Sequence, residues 1–450
     1  MAELHALRVD RAGTRAALEA TWEAGAAALV LPEDAGDTEV QRLLARFRPH
    51  ALVGQEARGG TDRGPVRGAP SRTDPSGTAS SRPASLRATR VPDGVPVAED
   101  VALVVPTSGS TGAAKGVELS HAALHASVTA SLRRLGARRG ERWGLALPTH
   151  HIAGISVHLR AAALGTAAVV ATDTDAVGHL DVEHVALVPA QLDRLLAGGA
   201  DLARFATILL GGAPASAELL ERARAQGARI VTSYGMTETV GGCVYDGRPL
   251  DDVEVAVDAS TARIRVRGPV LLEGYRQVPA GGPAGGFGRG GVDPAGEGPP
   301  MVDAEGSAGE GPPVVDAEGW FTTPDLGCFD ASGALEVLGR ADAVLLSGGE
   351  NVPLAAVASL LRTHPEVADV AVAAVADARW GEVPVALVVP ADGARPPQLA
   401  ALRAHVRARA HPAYAPAHLL VVDHLPRDDL GKLPRAEVVA RLRSAGLEPA

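Results

Sequence analysis

The chain has 450 residues, 46% hydrophobic and 21% charged, which suits a globular protein of more than one domain. Its 43 Lys and Arg against 53 Asp and Glu give a formal charge of −10, which excludes a global electrostatic drive toward nucleic acid or an anionic membrane. Two isolated cysteines, Cys243 and Cys328, build neither a disulfide framework nor a thiolate metal site and fit a reducing, cytoplasmic setting.

The opening residues lack a basic stretch followed by an apolar core, so no signal peptide is expected. No apolar run reaches the length of a membrane span, so no membrane insertion is expected. Thr14–Glu23 is helical in pattern, Ala27–Leu31 is strand-sized, Thr38–Phe47 is amphipathic and Ala51–Val53 opens another strand, an α/β alternation. Residues 57–98 are rich in Gly, Pro, Ser, Thr and Arg and poor in large apolar side chains, so they read as a flexible linker. The apolar strand Val101–Val105 then runs into a Gly- and hydroxyl-rich loop at 107–116. A helix N-capped by Ser120 follows.

Strand candidates Leu145–Leu147, Ala167–Ala171, Val185–Val188, Thr207–Leu210 and Arg229–Thr232 alternate with helices, and Val253–Val270 alternates as antiparallel strands do. Residues 296–306 and 309–319 read GEGPPMVDAEG and GEGPPVVDAEG, a tandem copy with a period of 13 residues. Two such polar units cannot form a solenoid, so 279–317 reads as a poorly ordered surface insertion. Gly286, Gly288 and Gly291 spell G-x-G-x-x-G, but no strand precedes them and no helix follows, so a dinucleotide site is excluded on context. A smaller unit begins near 341, with helices at Leu354–Arg362, Gln398–Arg409 and Arg435–Leu442 and strands at Val370–Val375, Val383–Val389 and Leu419–Val422.

Three sets of residues carry chemistry. In Thr107-Ser108-Gly109-Ser110-Thr111-Gly112-Ala-Ala-Lys115-Gly116, glycines let backbone N–H groups approach a polyphosphate while hydroxyls and Lys115 add donors and charge. It is not a Walker A loop, because Gly116 stands where that motif has Ser or Thr. Ser233-Tyr234-Gly235-Met236-Thr237-Glu238 places a ring, a hydroxyl and a carboxylate together, suited to a purine and a phosphate-bound hard cation. Asp325, Gly339-Arg340-Ala-Asp342, Ser347–Glu350 and Gly431-Lys432 follow, each weak alone. His121 and His125 are spaced i, i+4 without a third ligand, and read as solvated or capping residues.

In this order the motifs resemble the adenylate-forming superfamily of acyl-CoA synthetases, adenylation domains and firefly-type luciferases. The stretch Leu147-Pro-Thr-His-His151-Ile-Ala-Gly154 with Arg160, and Tyr234–Gly247, resemble the o-succinylbenzoate–CoA ligases within it. The sequence departs from the family at Ala114, where a proline is usual, and at Pro324, where Thr-Gly-Asp has glycine.

The resemblance implies an α/β fold: a large N-terminal domain of packed α/β subdomains, 1–340, and a small mobile α+β domain, 341–450, hinged at Asp342. It implies ATP, Mg²⁺ and coenzyme A. ATP would be held by the 107–115 loop, Gly212, Ala213, Pro214, the 233–237 motif, Asp325, Arg340 and Lys432. Mg²⁺ would sit at Thr111 and Glu238, and the acid near His151, Arg160, Gly211 and Ser233. Thr237, Glu238 and Lys432 would be catalytic, so Lys432→Ala should abolish adenylate formation and spare thioesterification of supplied adenylate. On residues alone, Arg160 is equally readable as a surface ion-pair partner and His151 as structural. Another aryl or short acyl acid, a carrier-protein acceptor, an inactive nucleotide-binding regulator and a homo-oligomer all stay open.

Overall fold

The computed structural model describes residues 1–55, 86–107, 115–276, 278, 314–391, 395–425 and 435–450. Short apolar runs alternating with helices build two large sheets with parallel centres, the outcome expected of βα repeats. The first sheet has seven strands in the order Gly274–Tyr275, Lys115–Ser120, Val101–Thr107, Ala27–Val30, Leu4–Arg8, Ala51–Gln55 and Leu86–Arg90. Its four inner strands are parallel and its outer pairings antiparallel. The second sheet runs Arg248–Pro249, Gly241–Tyr245, Ile230–Met236, Thr207–Leu210, His184–Leu187, Trp143–Leu145 and Val169–Val170. It is parallel from Ile230–Met236 onward, with the first two strands antiparallel.

Two helices, His121–Leu135 and Ile152–Ala163, lie between these sheets. Ala123, Leu124, Ile152 and Ile155 pack on the first sheet's core. Val128, Leu132, Val157 and Ala161 pack on the second's. A helix covered on two sides is apolar nearly all round, and Ile152–Ala163 is so, except at the polar positions that matter below. The cap on the first of these helices is as expected: Ser120 Oγ accepts from the Ala123 N–H at 3.2 Å.

Three expectations are corrected, and one strand was not read from the sequence. The strand Leu4–Arg8 stands inside the first sheet, between Ala27–Val30 and Ala51–Gln55. Its Leu-His-Ala-Leu-Arg sequence has no strict alternation because it is covered on both faces. The loop after Thr107 leads into a return strand, Lys115–Ser120, before the helix starts.

The linker reading of 57–98 fails over 86–98. Leu86–Arg90 pairs with Ala51–Gln55, Val97 is buried against Ala2, and Arg276 donates to the carbonyls of Val95 and Phe47. Backbone pairing, one buried guanidinium and a few apolar side chains, Leu86 and Val97 among them, order this segment. The insertion reading of 279–317 fails over 314–317. Val315 bridges to Phe321, and Asp316 accepts from the Glu318 and Trp320 N–H groups and pairs with Arg265. The remainder of both segments, including the first GEGPP repeat, lies outside the described residues.

The third sheet is antiparallel, in the order Glu254–Val257, Arg263–Arg267, Phe321–Phe329 and Leu335–Arg340. The 3₁₀ turn Ala341–Ala343 then leads to a fourth sheet of Glu350–Pro353, Val344–Ser347, Gly381–Pro390 and Val367–Asp377, with His418–Val421 parallel to Gly381–Pro390. Leu354–Arg362 and Leu399–Arg407 cover it through Val357, Leu361, Leu402 and Val406. No helix among the described residues is long and apolar enough to cross a membrane.

Candidate active site

The strand Ile230–Met236 brings the second set of motif residues to the end of the second sheet. Next to it, the strand Thr207–Leu210 ends in Gly211 and Gly212. Gly212 has φ +81°, where a side chain is strained, and a Cβ on Gly211 would stand 3.3 Å from the Ser233 carbonyl oxygen. Ala213 and Pro214 continue this loop. Gly235 cannot be any other residue in this packing, because its Cβ would lie 1.9 Å from the Gly241 carbonyl. The register slips at this point, between Tyr234 and Gly235, so the strand bends before the turn Thr237–Thr239. Thr239 Oγ1 closes the turn through the Met236 N–H at 3.0 Å and the Gly241 carbonyl at 2.7 Å.

Tyr234 and Asp325 meet here across 91 residues of chain. The phenol donates to Asp325 Oδ2 at 3.0 Å, and its oxygen lies 3.4 Å from Thr323 Oγ1. Burial first, then the Asp325 charge, pushes the Tyr234 phenol well above its ordinary range, so it stays a donor. Pro324, the departure from the family pattern, falls where Phe321–Phe329 slips register against Arg263–Arg267, a place in a sheet that accepts proline. Arg340 is the cross-strand partner of Asp325 and is exposed. Asp342 lies in the turn between the third and fourth sheets. Gly348 and Gly349, with φ +60° and +89°, form the two-residue hairpin between Ser347 and Glu350.

A second cluster stands at Lys115, where the described chain resumes after Thr107. Tyr275 donates to Glu238 Oε1 at 2.9 Å, and Lys115 Nζ lies 5.2 Å from the centre of the Tyr275 ring. Burial and the Glu238 charge raise the Tyr275 phenol far above its usual value. Sequence reasoning missed Tyr275, although the Gly-Tyr pair after an antiparallel run signals a short edge strand. Thr107 and Lys115 flank the loop, with Thr107 Oγ1 donating to the Lys115 carbonyl at 3.4 Å. Ser108, Gly109, Ser110, Thr111, Gly112, Gly431 and Lys432 lie outside the described residues. Among the described residues no group of three or more His, Cys, Asp or Glu side chains gathers for a metal. Glu238 is a single carboxylate, which suits Mg²⁺ shared with substrate phosphates rather than an all-protein site.

Arg160 is not on the surface. It is 4% exposed, so the surface ion-pair reading is excluded. Its Nε donates to Ser131 Oγ at 3.0 Å and an Nη to Tyr245 Oη at 3.4 Å, while the guanidinium lies 5.2 Å from the Trp143 ring centre. Ser131 and Tyr245 bond each other at 2.7 Å. Ser131 and Trp143 carry no motif and were missed, and Tyr245, although inside the 234–247 stretch, was given no role. Tyr245 links this cluster to the first, since its ring lies 2.9 Å from where a Cβ on Gly242 would be and Ser233 Oγ lies 2.0 Å from that same point. His151 holds the N-cap position of Ile152–Ala163 without a side-chain cap, and its ring is 4.1 Å from that of His150. Cys243 is fully buried and its thiol is pushed up to about 11 by burial, so it is no nucleophile. His121 and His125 are both exposed, as solvated histidines are, and the His121 ring meets Trp22 edge-on at 5.2 Å.

Two α/β sheets and an antiparallel sheet that bring Tyr234 to Asp325 and Tyr275 to Glu238 and Lys115, followed by a small second domain, define an adenylate-forming enzyme. The AMP-binding enzyme family matches residues 11–276, and the AMP-binding enzyme C-terminal domain matches 356–432. The Mycobacterium tuberculosis protein named probable 2-succinylbenzoate–CoA ligase is 40% identical over 77% of this chain and 86% of its own length. The 2-succinylbenzoate–CoA ligase of Geobacillus kaustophilus is 33% identical over 76% of this chain and 69% of its own. The o-succinylbenzoate CoA synthetase of Bacillus subtilis, in complex with the acyl-adenylate intermediate, superposes with a TM-score of 0.73 at 26% identity, covering 97% of this chain and 88% of that one. The same enzyme with ATP and magnesium gives 0.71 at 25% identity over 97% and 89%. The chain belongs to the AMP-binding enzyme family and, within it, to the 2-succinylbenzoate–CoA ligases.

Proposed function

We propose that this chain adenylates o-succinylbenzoate with ATP and Mg²⁺ and passes the acyl group to coenzyme A, releasing pyrophosphate and then AMP. The observation that carries the substrate is Arg160, a buried guanidinium whose described partners are two neutral hydroxyls and an aromatic face. A charge taken out of water at such cost is matched by an anion. A substrate with two carboxylates supplies one to Arg160 and presents the other to ATP.

In this reading the carboxylate attacks the α-phosphorus and pyrophosphate leaves. An anion approaches a polyanion, so positioning and positive charge lower the barrier. Lys115 and the backbone of 107–112 bind phosphate oxygens, and Lys432 bridges the carboxylate and the α-phosphate. The Tyr234 ring and the 211–214 loop hold the adenine, and Asp325, oriented by Tyr234, holds the ribose hydroxyls with Arg340 beside it. Glu238, fixed by Tyr275, and Thr111 would hold Mg²⁺, which supplies charge neutralisation at the phosphates. Thr237 lies beside Glu238 at the reacting end, while Ser233, Gly211 and His151 line the entrance to the acid site. The domain 341–450 turns about Asp342 between the two half-reactions, bringing the Ser347–Glu350 hairpin to the site. Isotope exchange between pyrophosphate and ATP tests the first step. Exchange stimulated by o-succinylbenzoate and not by benzoate supports the reading, and exchange indifferent to the acid removes it.

A further inference from the structure

The helix Ile152–Ala163 offers a second polar side chain to the strand Gly241–Tyr245. Ser156 precedes Arg160 by four residues, hence one turn, or about 6 Å, nearer the helix N-terminus. It is 3% exposed, and its Oγ has no hydrogen-bond partner among the described residues. Buried helical serines ordinarily bond the carbonyl four residues earlier. On the neighbouring helix Ser127 bonds the Val240 carbonyl at 3.2 Å and Ser131 bonds Arg160 and Tyr245. Ser156 alone of these three hydroxyls is left open, a costly arrangement without a ligand.

Its position says what it faces. Ser156 Oγ lies 3.9 Å, and Ile152 Cγ2 4.0 Å, from the point where a Cβ on Gly241 would stand. Gly241 has φ +83°, so this space is kept clear of a side chain. The open hydroxyl therefore lies between the helix N-terminus, where His151 stands, and the guanidinium of Arg160. A neutral donor in that place suits a neutral acceptor, because the charge is already met by Arg160.

We propose that Ser156 is a specificity-determining residue that donates to an uncharged carbonyl oxygen lying between the two carboxylates of the acid. The proposal rests on the assignment of Arg160 to the far carboxylate. o-Succinylbenzoate carries such a ketone between its chain carboxylate and its ring. A site built to bond a carbonyl discriminates against the analogue lacking it, because its own donor is then left unpaired.

The test compares kcat/KM for o-succinylbenzoate and for 2-(3-carboxypropyl)benzoate, in which a methylene replaces the ketone, in the full chain and in Ser156→Ala. Alanine is the best helix former, and the melting temperature and the KM for ATP report whether the fold and nucleotide site are kept. The native chain is expected to prefer the keto acid by about tenfold, and Ser156→Ala to abolish that preference by lowering only the keto acid's kcat/KM. An equal loss for both acids, or no loss for either, overturns the role of Ser156 and leaves the function standing. Failure of the native chain to turn over either dicarboxylate overturns the Arg160 assignment, and Ser156 with it.

Discussion

Replacing Arg160 by methionine separates what this residue does for the fold from what it does for the substrate. In the fold it makes two bonds to neutral hydroxyls, at 3.0 and 3.4 Å, and lies against the Trp143 face. Each such bond contributes about 1 kcal/mol. Removing the buried guanidinium relieves a desolvation penalty of comparable or larger size, and methionine refills most of the volume. The expected change in stability is therefore small, within about 1 kcal/mol, and the melting temperature moves by no more than a few degrees. The substrate loses its only buried cationic partner in this cluster, which costs roughly 2–5 kcal/mol, or about 30- to 4,000-fold in kcat/KM. The KM for ATP is expected to stay put, and acids with a single carboxylate to lose much less. Thioester formation measured over a range of both substrates, beside thermal unfolding, reads all of this. A large fall in melting temperature together with an equal loss for every acid would refute the reasoning and make Arg160 structural.

Tyr275→Phe removes the bond that orients Glu238, so the Mg²⁺ concentration for half-maximal pyrophosphate exchange should rise about 3- to 10-fold with the acid's KM unchanged; an unchanged Mg²⁺ dependence would deny the link. Arg276→Met leaves Glu118 without its buried partner and the carbonyls of Phe47 and Val95 without a donor, and should destabilise by about 3–5 kcal/mol. Thermal unfolding and limited proteolysis between residues 86 and 98 check it, and wild-type resistance would contradict the anchoring role. His158 is buried with its ring nitrogen 2.9 Å from the Arg11 carbonyl, and burial holds its pKa below the ordinary 6.5. Its neutral form is favoured only in the folded state, so its stabilising share is complete above that value and is lost as the pH falls through the range below. The melting temperature should drop between about pH 7.5 and pH 5.5, and drop less in His158→Gln; parallel curves would dismiss this histidine as the cause.

Much of the fold could be read from the residues because local signals and burial agree. Thr14–Glu23, Thr207–Leu210 and Leu354–Arg362 have the bounds their patterns imply. The misses share physical causes. Leu4–Arg8 is covered on both faces and so lacks alternation, and Leu86–Arg90 is held mainly by backbone pairing, with only Leu86 of its side chains packed on the core. Lys115–Ser120 was masked by the loop that precedes it. At the site, the motif residues Tyr234, Glu238 and Asp325 are legible because phosphate and sugar chemistry demands recurring side chains at short spacing. Tyr275, Tyr245, Ser131 and Ser156 were not. The first three pair with residues 29 to 114 positions away, Ser156 has no hydrogen-bond partner among the described residues, and neither leaves a local pattern.

The central claim is that this site joins a dicarboxylic aryl acid to coenzyme A. The direct measurement is CoA-thioester formation with ATP and Mg²⁺ across o-succinylbenzoate, benzoate and medium-chain fatty acids. A strong preference for o-succinylbenzoate is the predicted result. Thioesters formed only from acids with one carboxylate would contradict the account at Arg160 while leaving the adenylate-forming fold in place.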